Sequence, residues 1–191
     1  FRIKPSFQWD PAIVKFFWTV LPAFALAGIF SRVYSYIDSV ILSKLVDETA
    51  VGLYGVAYKV AFAFQFLPMA FAAAIYPAMS EYHVKDREKL ARAYETAILY
   101  LLMVATPIAF GISVLADPII ALVYGPAFAG SALPLKILIL SLFFSFLYWP
   151  AGSMLNACDR QAKNTMAMGV TMGSNIILNF LLVPRFAQTG A

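Results

Sequence analysis

Four uninterrupted stretches without a single charged residue, at positions 60–80, 96–116, 137–158 and 164–184, constrain this chain more than any other feature. Each is long enough to cross about 30 Å of hydrocarbon as a helix rising about 1.5 Å per residue. A fifth apolar stretch, 16–43, is interrupted by Arg32 and Asp38. Hydrophobic residues make up 62% of the 191 and charged ones 13%. A water-soluble body of this size has too few charges to cover so much apolar surface, whereas a bilayer solvates it. The expected fold is therefore all-α, a multi-pass transmembrane helical bundle of about five spans.

The expected helices cover about 16–45, 50–80, 93–116, 131–157 and 163–183, after a cytoplasmic linker at 1–15. The segment 118–135 carries Gly125-Pro126, Gly130 and Pro134, too many breakers for one straight span. A short interfacial helix is expected at about 117–125, with Asp117 as its cap and Pro118 in its first turn. Residues 185–191 read as a loop toward a further helix. The opening Phe-Arg-Ile-Lys-Pro and the close at Ala191 read as the ends of a segment of a longer protein.

Loop charges orient the spans. With the N-terminus in the cytoplasm, nine bases fall inside (Arg2, Lys4, Lys15, Lys85, Arg87, Lys89, Arg92, Arg160 and Lys163) and three outside (Lys44, Lys136 and Arg185). That is a positive-inside bias, and it places the end of the chain outside a plasma membrane. The same distribution explains the net charge of +4 without a nucleic-acid partner, which needs a basic face on a soluble body. Glu81, Asp86 and Glu88 alternate with Lys85, Arg87 and Lys89 in what reads as a solvated cytoplasmic face.

The first span carries the chemistry. At about 100° per residue, Ser31, Arg32, Ser35, Tyr36, Asp38, Ser39 and Ser43 share one arc. Leu26, Ile29, Phe30, Val33, Ile37, Val40 and Ile41 share the other. Thirteen Leu, Ile, Val and Phe residues favour insertion by roughly 4 to 8 kcal/mol, and two charges near mid-membrane cancel most of it at about 2.5 to 3.5 each. The polar arc must meet water or protein. Arg32 and Asp38 are poorly placed to satisfy each other, about 9 Å apart along the axis and about 120° apart around it. Lys59 lies at a depth similar to that of Asp38 and can pair with it, flanked by Tyr54, Tyr58 and Gln65. Two readings stand: Arg32, Asp38 and Lys59 border a hydrated cavity with Tyr36, Ser35, Ser39, Tyr58 and Gln65, or they form a structural ion pair between helices.

Pro22, Pro68, Pro107 and Pro150 lie inside the first four spans and are hinge candidates. Gly169 and Gly173 form a GxxxG pattern that permits close helix approach. Asn175 and Asn179 share a helix face, for packing or for lining a pathway. His83 is the lone histidine and Cys158 the lone cysteine. No phosphate-cradling glycine loop, HExxH or CxxC is present, so no catalytic residue, resident cofactor or metal site is assigned, and the chain is not expected to be an enzyme.

Several stretches carry a resemblance: Tyr36-Ile-Asp38-Ser-Val-Ile-Leu, Val51-Gly-Leu-Tyr-Gly-Val-Ala-Tyr-Lys59, Tyr76-Pro-Ala-Met-Ser80, Ile119-Ile-Ala-Leu-Val-Tyr-Gly125 with Phe128, Asn156-Ala-Cys-Asp-Arg160, and the close from Leu182 to Ala191. In this order they resemble the Wzx-type polysaccharide flippases of the multidrug/oligosaccharidyl-lipid/polysaccharide exporter superfamily. Asp159 and Ala187 depart from the pattern, standing where glycine is expected.

The resemblance implies a MATE-like transporter of two pseudo-symmetric lobes around a cavity, this chain being part of the second lobe and the N-terminal lobe lying elsewhere in the same protein. It also implies a substrate, an oligosaccharide on a polyprenyl pyrophosphate, moved across the plasma membrane by alternating access. Arg32 and Lys59 would then contact the anionic headgroup, and Asp38 would serve cavity structure or coupling to Na+ or H+. A cation-coupled multidrug antiporter, a peptidoglycan-precursor flippase and a non-transporting membrane scaffold are the competing readings.

Overall fold

The computed structural model describes residues 11–191. The bases Arg2 and Lys4 and most of the 1–15 segment lie outside the described residues. The chain is an all-α, multi-pass membrane bundle, with no strand among the described residues. Seven helices follow in order: α1 (Pro11–Leu45), α2 (Glu48–Ala63), α3 (Phe66–Lys85), α4 (Arg87–Val123), α5 (Ala132–Leu140), α6 (Leu142–Ala157) and α7 (Gln161–Phe186). They form five candidate membrane spans, because α2 runs into α3, and a 3-10 turn at Pro126–Ser131 runs through α5 into α6.

Both broken spans have local causes. Pro68 sits in the first turn of α3, where its ring opposes the carbonyl four residues earlier, at Phe64. The chain tightens there into short bonds from Phe64 N to Ala61 O and from Gln65 N to Phe62 O. At the second break no proline is needed. The Ser141 hydroxyl donates to the Leu138 carbonyl at 2.6 Å, and such back-bonding bends helices.

The separate helix expected at 117–125 is not formed. Instead α4 continues unbroken to Val123, about 55 Å at 1.5 Å per residue. Ala105, Ala109, Ala116 and Ile120 recur at helical spacing and are fully buried, so packing carries the helix through Pro118 despite the lost hydrogen bond. Asp117 therefore does not cap a helix but binds Lys136 on α5 at 2.6 Å. Gly125, with φ +85, then ends α4 in a conformation that favours glycine.

The largest buried cluster joins α2, α4, α5 and α6 through residues such as Ala57, Ala105, Leu135 and Phe146. Alanine at these contacts lets helix backbones approach closely, the packing mode open to helices in lipid. Helix α1 stands to one side, packed chiefly on α7 and less on α2. Gly169 of α7 marks the close approach, since a methyl group there would lie 3.0 Å from the ring of Phe30, while Gly173 has open space around it. Outward, Trp18, Leu122 and Phe144 are among the large apolar side chains left exposed, as a lipid-facing surface requires.

Asp159 (φ +57) and Ala187 (φ +49) are the two positive-φ residues other than glycine among the described residues. These are the two positions where the resemblance expected glycine. Asp159 turns the chain from α6 into α7, and Ala187 ends α7. Each holds a backbone shape that a side chain disfavours by about 1 to 2 kcal/mol, with Asp tolerating it better than Ala.

Candidate functional site

Asp38 is the centre of a buried polar knot. It is 8% exposed, the one acidic residue in the buried set. Its Oδ2 accepts a hydrogen bond from the Tyr54 hydroxyl of α2 at 2.9 Å, and its Oδ1 accepts one from Asn179 Nδ2 of α7 at 2.9 Å. One carboxylate thus ties three helices together. Ile41, Leu42, Ala50, Tyr54 and Val183 form the apolar wall beside it, where a missing partner is costly.

Asn179 uses both amide protons. One goes to Asp38, and Nδ2 also donates to the backbone carbonyl of Asn175, one turn earlier, at 3.0 Å. Its own Oδ1 is buried without a partner, and so is the Oδ1 of Asn175. The site is therefore rich in acceptors: a carboxylate and two amide oxygens on adjoining helices. Among the described residues no ion pair involves Asp38.

The Asp38–Lys59 pair allowed by depth does not form. Tyr54 and Lys59 are five residues apart, about 140° around α2, so turning Tyr54 toward Asp38 swings Lys59 away. Lys59 is exposed. Tyr58, one turn from Tyr54, stays on the near side, half-buried, with ring centroids 6.0 Å from Tyr54 and 5.4 Å from Phe62. Gln65 lies at the break between α2 and α3, half-buried.

The polar arc of α1 is likewise divided. Asp38 turns into the bundle, while Arg32 and Tyr36 are exposed and Ser35 and Ser39 partly so. The Ser35 hydroxyl is occupied by the Ser31 carbonyl at 2.9 Å. The structure thus brings together Asp38, Tyr54 and Asn179, and it leaves Arg32 and Lys59 on uncovered surface. The sequence marks Tyr54 only as a neighbour of Lys59 and not as a partner of Asp38. The available signal was the single acid of the first span facing the only asparagine pair at i and i+4 in an uncharged one.

Pro22, Pro107 and Pro150 lie within α1, α4 and α6. Beside Pro22, the buried Thr165 hydroxyl of α7 donates to the Ala23 carbonyl at 2.8 Å, a second polar tie between α1 and α7.

Residues 1–133 match the model of a family described as polysaccharide biosynthesis protein. Among curated proteins, the probable low-salt glycan biosynthesis flippase Agl15 of Haloferax volcanii is 26% identical over 83% of this chain and 34% of its own length. The probable flippase AglR of the same organism is 30% identical, with the same coverage of both chains. An uncharacterized membrane protein of Methanocaldococcus jannaschii is 26% identical over 84% of this chain and 32% of its own. The chain thus spans about a third of the length of the curated relatives it matches. No solved structure matches it significantly.

Proposed function

The chain belongs to the polysaccharide biosynthesis protein family, a branch of polysaccharide flippases within the exporter superfamily, and from that premise we propose that the whole protein flips a lipid-linked glycan across the cell membrane, coupled to a cation at Asp38. Relatives named as flippases for glycan biosynthesis support the transport reading and the glycan substrate. This segment contributes the first five spans of one lobe, with its N-terminus in the cytoplasm.

One observation carries the coupling: a buried carboxylate in a membrane span that makes no ion pair among the described residues, and two unpartnered amide oxygens on the neighbouring helix. An ionised carboxylate in such a place needs a counter-charge. Carboxylate and amide oxygens suit a hard cation, and a proton on Asp38 neutralises the same charge. Of the two, Na+ accounts better for the acceptor surplus, because it takes several oxygens at once. Asp38, Asn175 and Asn179 would hold it, and a bound cation would supply the charge that lets α1, α2 and α7 close together. Tyr54 orients the carboxylate by donating to the other oxygen.

Arg32 and Lys59 belong to the substrate side. Both are exposed in this segment and sit within spans, where a permanent charge needs water, a partner or an anionic ligand. A pyrophosphate headgroup fits that need.

The test is glycan-lipid translocation by the full-length protein in proteoliposomes with Na+ or choline outside. Asp38→Asn is expected to lower the rate at least about tenfold, the loss of one charge-assisted interaction of about 1.4 kcal/mol or more, and to abolish its dependence on Na+. Unchanged transport and unchanged ion dependence in Asp38→Asn would remove the coupling assignment. Failure of the wild type to move any lipid-linked glycan would remove the flippase reading.

A further inference from the structure

The hairpin of α3 and α4 holds a feature that the transport reading does not use. The chain reverses at Asp86, which caps α4 by accepting the Lys89 backbone N–H at 3.1 Å. From that turn inward, an open groove of about 420 Å³ runs along the seam between the two helices, walled by Phe71, Ile75, Ala97 and Tyr100. At its turn end it is bordered by Tyr82, Lys89 and Arg92. A smaller recess of about 120 Å³ continues the same seam, sharing Phe71 and Tyr100 and ending at Leu67 and Val104.

The groove therefore has two chemically distinct ends. The turn end carries two cations beside a tyrosine, at the boundary where a span leaves the hydrocarbon. The inner end is lined by Leu67, Phe71, Leu101 and Val104, with Tyr100 as its one side chain bearing a polar atom. From Lys89 to Val104 is fifteen residues of α4, about 22 Å along the axis, which exceeds the roughly 15 Å half-thickness of a bilayer's hydrocarbon core. A charged head at the surface and an apolar slot one leaflet deep match a phosphate carrying a hydrocarbon chain.

The two cations are free to change partners. Lys89 reaches the capping residue Asp86 at 3.3 Å and Arg92 pairs with Glu88 one turn earlier in α4, both contacts lying on the surface. Pairs of this kind contribute little in water. A phosphate positioned by the groove can take donors from both bases, and bases at a membrane surface favour anionic lipid.

We propose that the α3–α4 seam binds an anionic membrane phospholipid, with its phosphate on Lys89 and Arg92 and one acyl chain lying past Phe71 and Tyr100. The site is separate from Asp38 and stands or falls independently of flippase activity.

The experiment is native mass spectrometry of the purified full-length protein after addition of phosphatidylglycerol or phosphatidylcholine. The wild type should retain phosphatidylglycerol about tenfold more than phosphatidylcholine, from two bases each contributing a few-fold. Lys89→Gln/Arg92→Gln should lose that preference, and Ala93→Phe, at a residue that also lines the groove, fills it while keeping both charges and should lose it as well. Arg160→Gln, at an exposed base on another turn, should keep it. Equal retention of the two lipids by the wild type overturns the proposal, as does a preference that survives the double substitution. A preference that survives Ala93→Phe, or falls equally in Arg160→Gln, would mean diffuse surface charge and overturns the groove. Displacement of phosphatidylglycerol by equimolar polyprenyl phosphate would assign the seam to the carrier lipid instead and overturns the phospholipid.

Discussion

Asp38 and Asn179 stand 141 residues apart in the chain and meet through a 2.9 Å hydrogen bond from the amide Nδ2 to the carboxylate Oδ1. The bond joins the first span to the fifth. With Tyr54 on the second, it makes one buried acid the common partner of three helices, and the Thr165–Ala23 hydrogen bond is a further polar tie between α1 and α7. Any movement of α1 against α7 must break or carry this contact, which places the acid where a bound cation can influence helix packing.

Tyr54→Phe removes the donor to Asp38 Oδ2 and leaves the ring in place. The expected loss is about 1.5 to 3 kcal/mol, the range for a hydrogen bond to a charged group. Thermal unfolding of the full-length protein in detergent should show a clear drop in midpoint. Tyr124→Phe is the control, since its hydroxyl makes no hydrogen bond among the described residues. Equal midpoints for Tyr54→Phe and the wild type would mean that the buried bond contributes nothing.

Much of the architecture was legible before any coordinates. Uncharged runs of bilayer length locate four of the five spans because nothing else tolerates them, and the resemblance marked Asp159 and Ala187 as glycine positions that the backbone then places at positive φ. The failures share a cause. Depth along a helix can be counted from a turn, but rotation about its axis depends on packing. Lys59 and Asp38 agree in depth and still miss each other, because the helix turns Tyr54 inward. In the same way the prolines and glycines of 118–135 suggested breaks, while buried Ala116 and Ile120 carry α4 through the first of them.

The two glycines of the GxxxG pattern are expected to behave differently. Gly169→Leu places a side chain against the ring of Phe30, where even a methyl group comes within 3.0 Å. Overpacking of this kind costs about 1 to 3 kcal/mol. Gly173→Ala meets nothing within 4 Å and should not lower stability. Comparable midpoints for the two variants would deny that α1 and α7 pack at Gly169.

Relief of backbone strain gives a stabilising substitution. Ala187→Gly should raise stability by about 1 kcal/mol, because glycine adopts positive φ without a steric penalty. Gly190→Ala should do the opposite, as its methyl group would lie 2.6 Å from the Leu182 carbonyl oxygen. A destabilised Ala187→Gly protein would show that the end of α7 takes another conformation in the whole molecule.

Orientation can be read with fusions of alkaline phosphatase, which is active only outside the cytoplasm. A fusion after Glu88, in the basic turn between α3 and α4, should be silent, and one after Ala191 should be active. The reverse pattern would invert the topology drawn from nine inner bases against three outer ones.

The most direct measurement addresses the uncovered face of α1. Single cysteines replace Arg32, Ser35 or Ser39 in a cysteine-free full-length protein held in native membranes, and a small water-soluble thiol reagent is applied. Labelling at all three positions, with none at Leu122 or Phe144 on the outer surface, is the expected result. Unreactive cysteines at 32, 35 and 39 would place this face in lipid or sealed protein and contradict a hydrated transport pathway.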